Sequence, residues 1–70
     1  MTQPIGVFTV TAYRKNRRVA QLYGILAIDL WEAYVTCLKY LPLHDEHRVR
    51  RERNATQAEC VKFMAKENKG

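Results

Sequence analysis

The apolar positions of this chain change their period partway along it, and the change divides it into elements. From Ile5 to Tyr13 the order I-G-V-F-T-V-T-A-Y sets Phe8, Val10 and Ala12 in alternation with Thr9, Thr11 and Tyr13. Period two in β-branched and aromatic residues predicts a half-buried strand. Arg14-Lys15-Asn16-Arg17-Arg18 follows, and Asn16 is its residue most tolerant of positive φ, so a tight turn returns the chain as a second strand over Val19 to Tyr23. Gly24 breaks that pattern. From Asp29 the spacing becomes Leu30, Trp31, Tyr34, Val35, Leu38 and Leu41, one face of a helix with Asp29 as its cap or first-turn acid and Pro42 as its stop. A competing reading runs one helix from Arg17 to Leu41 and carries Gly24 at a cost of about 1 kcal/mol.

Leu43 to Asn54, LHDEHRVRRERN, has Val49 as its only apolar residue after Leu43 and offers nothing to a core. Asp45 and Glu46 ahead of His47, Arg48 and Arg50 have the acid-first order of a helix start, so part of the segment is expected to be helical and solvated. Thr56 with Glu59 matches a capping box, and Ala58, Cys60, Val61, Phe63, Met64 and Ala65 give the stripe of a last helix from about Thr56 to Glu67, closed by Asn68-Lys69-Gly70. The pattern predicts one α+β domain over residues 1–70, an N-terminal β-hairpin followed by two α-helices. Trp31, Tyr34 and Leu38 are expected to meet Cys60, Phe63 and Met64 against Phe8 and Val10. The alternative is a mostly α chain with one N-terminal strand.

Size bounds what such a domain can do. At 8.2 kDa the folded chain keeps roughly 4,500 Å² of surface against about 12,000 Å² extended, so folding hides only about 62% and the core is thin. A two-part dinucleotide-binding enzyme does not fit. With 47% apolar residues the chain is too hydrophobic to stay disordered. The first residues, MTQPIGVFTV, lack the basic region and cleavage site of a secretory signal, and the apolar stretch Val19 to Leu41 is interrupted by Asp29, Glu32 and Lys39. A cytoplasmic, non-membrane protein is expected, with Cys37 and Cys60 reduced and buried.

Charge is concentrated. Arg14, Lys15, Arg17 and Arg18 form one patch and Arg48, Arg50, Arg51 and Arg53 another, together eight of the twelve cations in a chain of net charge +5. Guanidinium groups on an exposed turn grip phosphate oxygens in pairs and release counterions. The first patch is the sharper one, because no acid lies within it, whereas Glu52, Asp45 and Glu46 partly neutralise the second. Of the aromatics, Trp31 and Tyr34 share the apolar helix face and are expected in the core. Tyr13 points away from Phe8 and Val10, and Tyr40 lies off the helix face; exposed tyrosines beside arginines suit base stacking or a protein interface.

Cys37, His44, His47 and Cys60 are zinc-compatible ligands, but their C-x6-H-x2-H-x12-C spacing is not a common ligand pattern. No metal, cofactor or catalytic residue is expected: there is no glycine-rich phosphate loop, no cysteine with an oriented base and no room for a deep pocket. Two functions remain. The first is a small nucleic-acid-binding module acting through the two arginine patches, although no helix-turn-helix or RNP motif is present. The second is a regulator or inhibitor that occludes a partner's acidic surface. The thin core also predicts a homodimer, with Trp31, Tyr34, Leu38, Leu41, Phe63 and Met64 offering more apolar area than a hairpin can cover.

Overall fold

The first strand carries usable side chains on both faces, and the fold is built around it. In a computed structural model, which describes residues 5–68 and the side chains of its last helix through residue 65, β1 (Gly6–Arg14) is the central strand of a three-stranded antiparallel sheet. β2 (Arg17–Ala27) and β3 (Glu46–Asn54) flank it in the order β2-β1-β3. Val7 to Ala12 are all buried, with Phe8, Val10 and Ala12 on one face and Val7, Thr9 and Thr11 on the other.

The hairpin forms as the turn chemistry requires. Both Lys15 (φ 52°) and Asn16 (φ 65°) take positive φ, the signature of a two-residue type I′ turn, and Arg14 pairs with Arg17 across it. β2 then runs past Tyr23 to Ala27, so the continuous helix from Arg17 does not form. Gly24 does not end the strand. At φ 68° it makes a bulge, and the register steps from Phe8 opposite Ile25 to Val10 opposite Leu22.

α1 (Leu30–Cys37) is capped by Asp29, whose carboxylate accepts the Glu32 amide at 2.7 Å, while the Glu32 carboxylate accepts the Ile28 amide at 2.9 Å. A 3₁₀ turn over Leu38–Tyr40 follows, and Leu41, forced extended ahead of Pro42, ends it. The helix docks through Ala33 and Cys37, which join Phe8, Val10 and Ala27 in the core, with Leu22, Ile25, Tyr34, Leu41 and Val49 packed around them. Trp31 is not in that core. It is 70% exposed, because two residues at about 100° each place it some 200° around the helix from Ala33.

Two further expectations are corrected. The polar segment before Asn54 is not a solvated helix but β3, which pairs along the whole of β1 from Tyr13 opposite Glu46 to Gly6 opposite Asn54. An edge strand needs only its backbone ladder and one apolar contact. Val49, opposite Val10, supplies that contact. The hairpin is therefore followed by helix, strand and helix. α2 (Gln57–Asn68) begins at the expected capping box, Glu59 amide to Thr56 Oγ1 at 3.2 Å and Thr56 amide to Glu59 Oε1 at 2.8 Å. Among the described residues α2 touches β2 and not α1, so Trp31 and Leu38 do not meet Phe63 and Met64. The expected closing residues Lys69 and Gly70 lie outside the described residues. Among those described, no helix is long and apolar enough to cross a membrane.

Candidate nucleic-acid interface

Alternation along β1 turns Thr9, Thr11 and Tyr13 to the face opposite α1, and the register carries their neighbours with them. Gln21, Thr11 and Arg48 form one rung across the three strands; Arg18, Tyr13 and Glu46 form the next; Arg50 stands opposite Thr9. Of these, Thr9, Thr11, Tyr13, Gln21, Arg48 and Arg50 line an open groove of about 490 Å³ together with Tyr23, Val49 and Glu52.

The floor is a hydrogen-bonded lattice. Gln21 Nε2 donates to Thr11 Oγ1 at 3.2 Å, and its amide oxygen accepts from Arg18 Nη1 at 3.2 Å and from the Tyr23 hydroxyl. Thr9 Oγ1 donates to Glu52 at 3.3 Å, and that carboxylate also pairs with Arg50 Nε at 2.8 Å. The Arg48 guanidinium lies 5.6 Å over the Tyr13 ring, a contact that leaves its donors free for an anion. Thr9 and Thr11 are each only 7% exposed, whereas Tyr23 is 69% exposed. The groove therefore has a fixed polar floor, cationic walls and an accessible aromatic ring.

The eight cations expected to bind do not form two uniform patches. Arg48 and Arg50 line the groove, and Arg18 reaches its edge through its bond to Gln21. Arg14 and Arg17 pair at the hairpin end, by alternation toward the α1 side, and Lys15 sits in the turn. That end does have an acid nearby, since Asp45 Oδ2 accepts the Lys15 amide at 3.1 Å while the Asp45 amide bonds the Tyr13 carbonyl at 3.0 Å. The bulge in the β1–β3 register puts Arg51 opposite Phe8, where it donates to Asn54 Oδ1 at 2.7 Å. Arg53 is held by Glu59 through two bonds of 2.8 and 3.0 Å. This bidentate contact and the Thr56 amide draw the Glu59 carboxyl down to about 2.

Thr9, Thr11 and Gln21 were not among the expected binding residues. The signal for them was available, because Thr9 and Thr11 alternate against Phe8 and Val10. Among the described residues the potential zinc ligands do not gather into one centre, although His44 and His47 lie near each other around Tyr34. His44 bonds the Tyr34 hydroxyl and the Pro42 carbonyl, each at 2.8 Å, and His47 stacks on Tyr34. Cys37 lies buried on α1 with its thiol pushed up by burial, and Cys60 on α2 is half-buried, not fully buried as expected; both are free. No protein-family model, curated protein or solved structure matches the chain.

Proposed function

We propose that the protein is a non-enzymatic nucleic-acid-binding module that lays a single strand across the open face of its sheet. Arg18, Arg48 and Arg50 grip successive phosphates, Lys15 and Arg17 extend the positive field at the hairpin end, and Tyr23 offers its face to a base. The observation that carries this reading is that Arg48 and Arg50 of β3 line a groove floored by Thr9 and Thr11, with Arg18 of β2 bonded to the lining Gln21 at its edge. A single strand fits better than a duplex: its unstacked bases reach a shallow sheet face directly, and α1, the helix packed against β3, lies on the Phe8 and Val10 face away from the groove, where it cannot enter a major groove alongside Arg48 and Arg50. Two free thiols support a reducing compartment, so the module is read as cytoplasmic.

The test is fluorescence anisotropy with single-stranded and duplex DNA and RNA of unrelated sequence across a salt series. Binding to single strands that weakens with salt is expected, and Arg48→Ala with Arg50→Ala should reduce the log-log slope by about 0.7 per lost contact. Absence of binding to every probe at low salt would reject the reading. A second partner is a protein surface, favoured by the exposed apolar residues of α1, Leu30, Trp31 and Val35; its simplest form is the homodimer.

A further inference from the structure

The outer side of α1 is apolar where a solvated helix face would be polar. Trp31, Val35 and Leu38, spaced i, i+4 and i+7, are 70%, 44% and 43% exposed, and Leu30 beside them is 53% exposed. These four side chains present on the order of 350 Å² of apolar surface, taking roughly 200 Å² for the aromatic and somewhat less for each aliphatic side chain. One side of a standard interface of about 800 Å² contributes about 450 Å² of apolar area, so the stripe supplies most of the need.

We infer that this stripe is the contact surface for a second copy of the chain, with two α1 helices crossing antiparallel near Val35. This rests on the self-associating reading above and assigns it a surface. The charges argue for a copy over a foreign partner. Glu32 on α1 and Lys39 in the 3₁₀ turn that continues it lie seven residues apart, about two turns, which sets both on one flank of the stripe, so a two-fold axis near Val35 brings Glu32 of each chain beside Lys39 of the other. The same crossing sets each helix N-terminus beside the other's C-terminus, where the two dipoles attract. On the other flank a shallow hollow of about 340 Å³, lined by Leu30, Trp31, Tyr34, His47 and Val49, can receive an apolar side chain of the second copy. The groove lies on the opposite face of the sheet, so this dimer leaves both nucleic-acid surfaces outward.

Trp31 is the chain's single tryptophan, so its fluorescence reports on this surface alone. Sedimentation equilibrium and tryptophan emission are measured from about 1 to 100 µM, a range that moves a linked monomer–dimer equilibrium. The expected result is a species of twice 8.2 kDa at the high end, with emission shifting to the red as dilution exposes Trp31. Val35→Arg sets two like charges at the axis; it should give the monomer mass throughout, with unchanged circular dichroism, since Val35 is solvent-accessible in the monomer. A dimer whose emission stays that of a solvated tryptophan and which Val35→Arg does not dissociate would overturn the α1 assignment while leaving self-association standing. The monomer mass at every concentration would overturn both and leave a foreign protein as the occupant of the stripe.

Discussion

The imidazole of His47 lies on the ring of Tyr34, 3.7 Å between centroids and 13° from parallel. Strand β3 is thereby fastened to α1 by an aromatic stack that sequence spacing alone does not foretell. The tyrosine is held at its other end too. Its hydroxyl meets His44 Nε2 at 2.8 Å, and His44 Nδ1 meets the Pro42 carbonyl at 2.8 Å. A carbonyl only accepts, so Nδ1 is the donor to Pro42, and in the neutral imidazole this tautomer leaves Nε2 to accept from the tyrosine hydroxyl.

Tyr34→Phe keeps the stack and deletes only that hydroxyl. The expected cost is about 1 kcal/mol, the net worth of one partly buried hydrogen bond. In a chain of this size that is a fall in melting temperature of about 4–8 °C. His47→Ala should cost a similar amount by removing the stack while leaving the His44 bond in place. Melting temperatures identical to the parent in both variants would mean that Tyr34 does not join β3 and the Pro42 segment to α1 in solution.

Much of this architecture is legible in the residues themselves. Alternation of Phe8, Val10 and Ala12 with Thr9, Thr11 and Tyr13, and the positive-φ tolerance of Asn16, predict the hairpin, and Thr56 with Glu59 predicts the start of α2. β3 was hidden because a strand that pairs along one side of a buried neighbour needs almost no apolar side chains, and Val49 alone marks its inner face. Arg48, Arg50 and Glu52 alternate with His47, Val49 and Arg51, which is period two written in charged residues. Trp31 lies outside the expected core for a different reason. The apolar arc of α1 is wider than the arc the sheet can cover, and periodicity does not say which half docks; Ala33 and Cys37 win because small side chains allow close approach. The candidate site follows the same division. Arg48 and Arg50 are visible as cations, but the separation of Arg51 and Arg53 from them depends on a strand register and a bulge.

Glu59 makes the start of α2 sensitive to acid. Its carboxyl sits at about 2 against an ordinary 4.5, first because Arg53 donates to it and second because the Thr56 amide does. A depressed folded value means that the unfolded chain takes up the proton first as pH falls. The stabilisation is therefore complete above pH 4.5 and is lost as pH descends from 4.5 toward 2. Helical circular dichroism should decline across that window. Glu59→Gln should lower helicity at neutral pH and remove that part of the decline; a variant with the parent's acid profile would assign the transition to other carboxylates.

The bulge at Gly24 connects backbone conformation to the groove, since it lies immediately after Tyr23 and resets the register of β2 against β1. A Cβ at Gly24 would meet nothing within 4 Å, so crowding does not forbid a side chain there. The backbone does, because φ is +68°, and an L-residue in the left-handed region costs roughly 1–2 kcal/mol. Gly24→Ala should lower the unfolding free energy by about that amount in denaturant titration, with an unchanged m-value. Gly24→Asn should cost less, since a short polar side chain tolerates this region. If the alanine variant instead matches the parent, the chain has relaxed the bulge, and a one-residue shift in the strand would turn Tyr23 off the groove face. Binding to single strands would then fall while stability held. Equal stability together with equal binding in Gly24→Ala would show that the left-handed glycine neither shapes β2 nor places Tyr23.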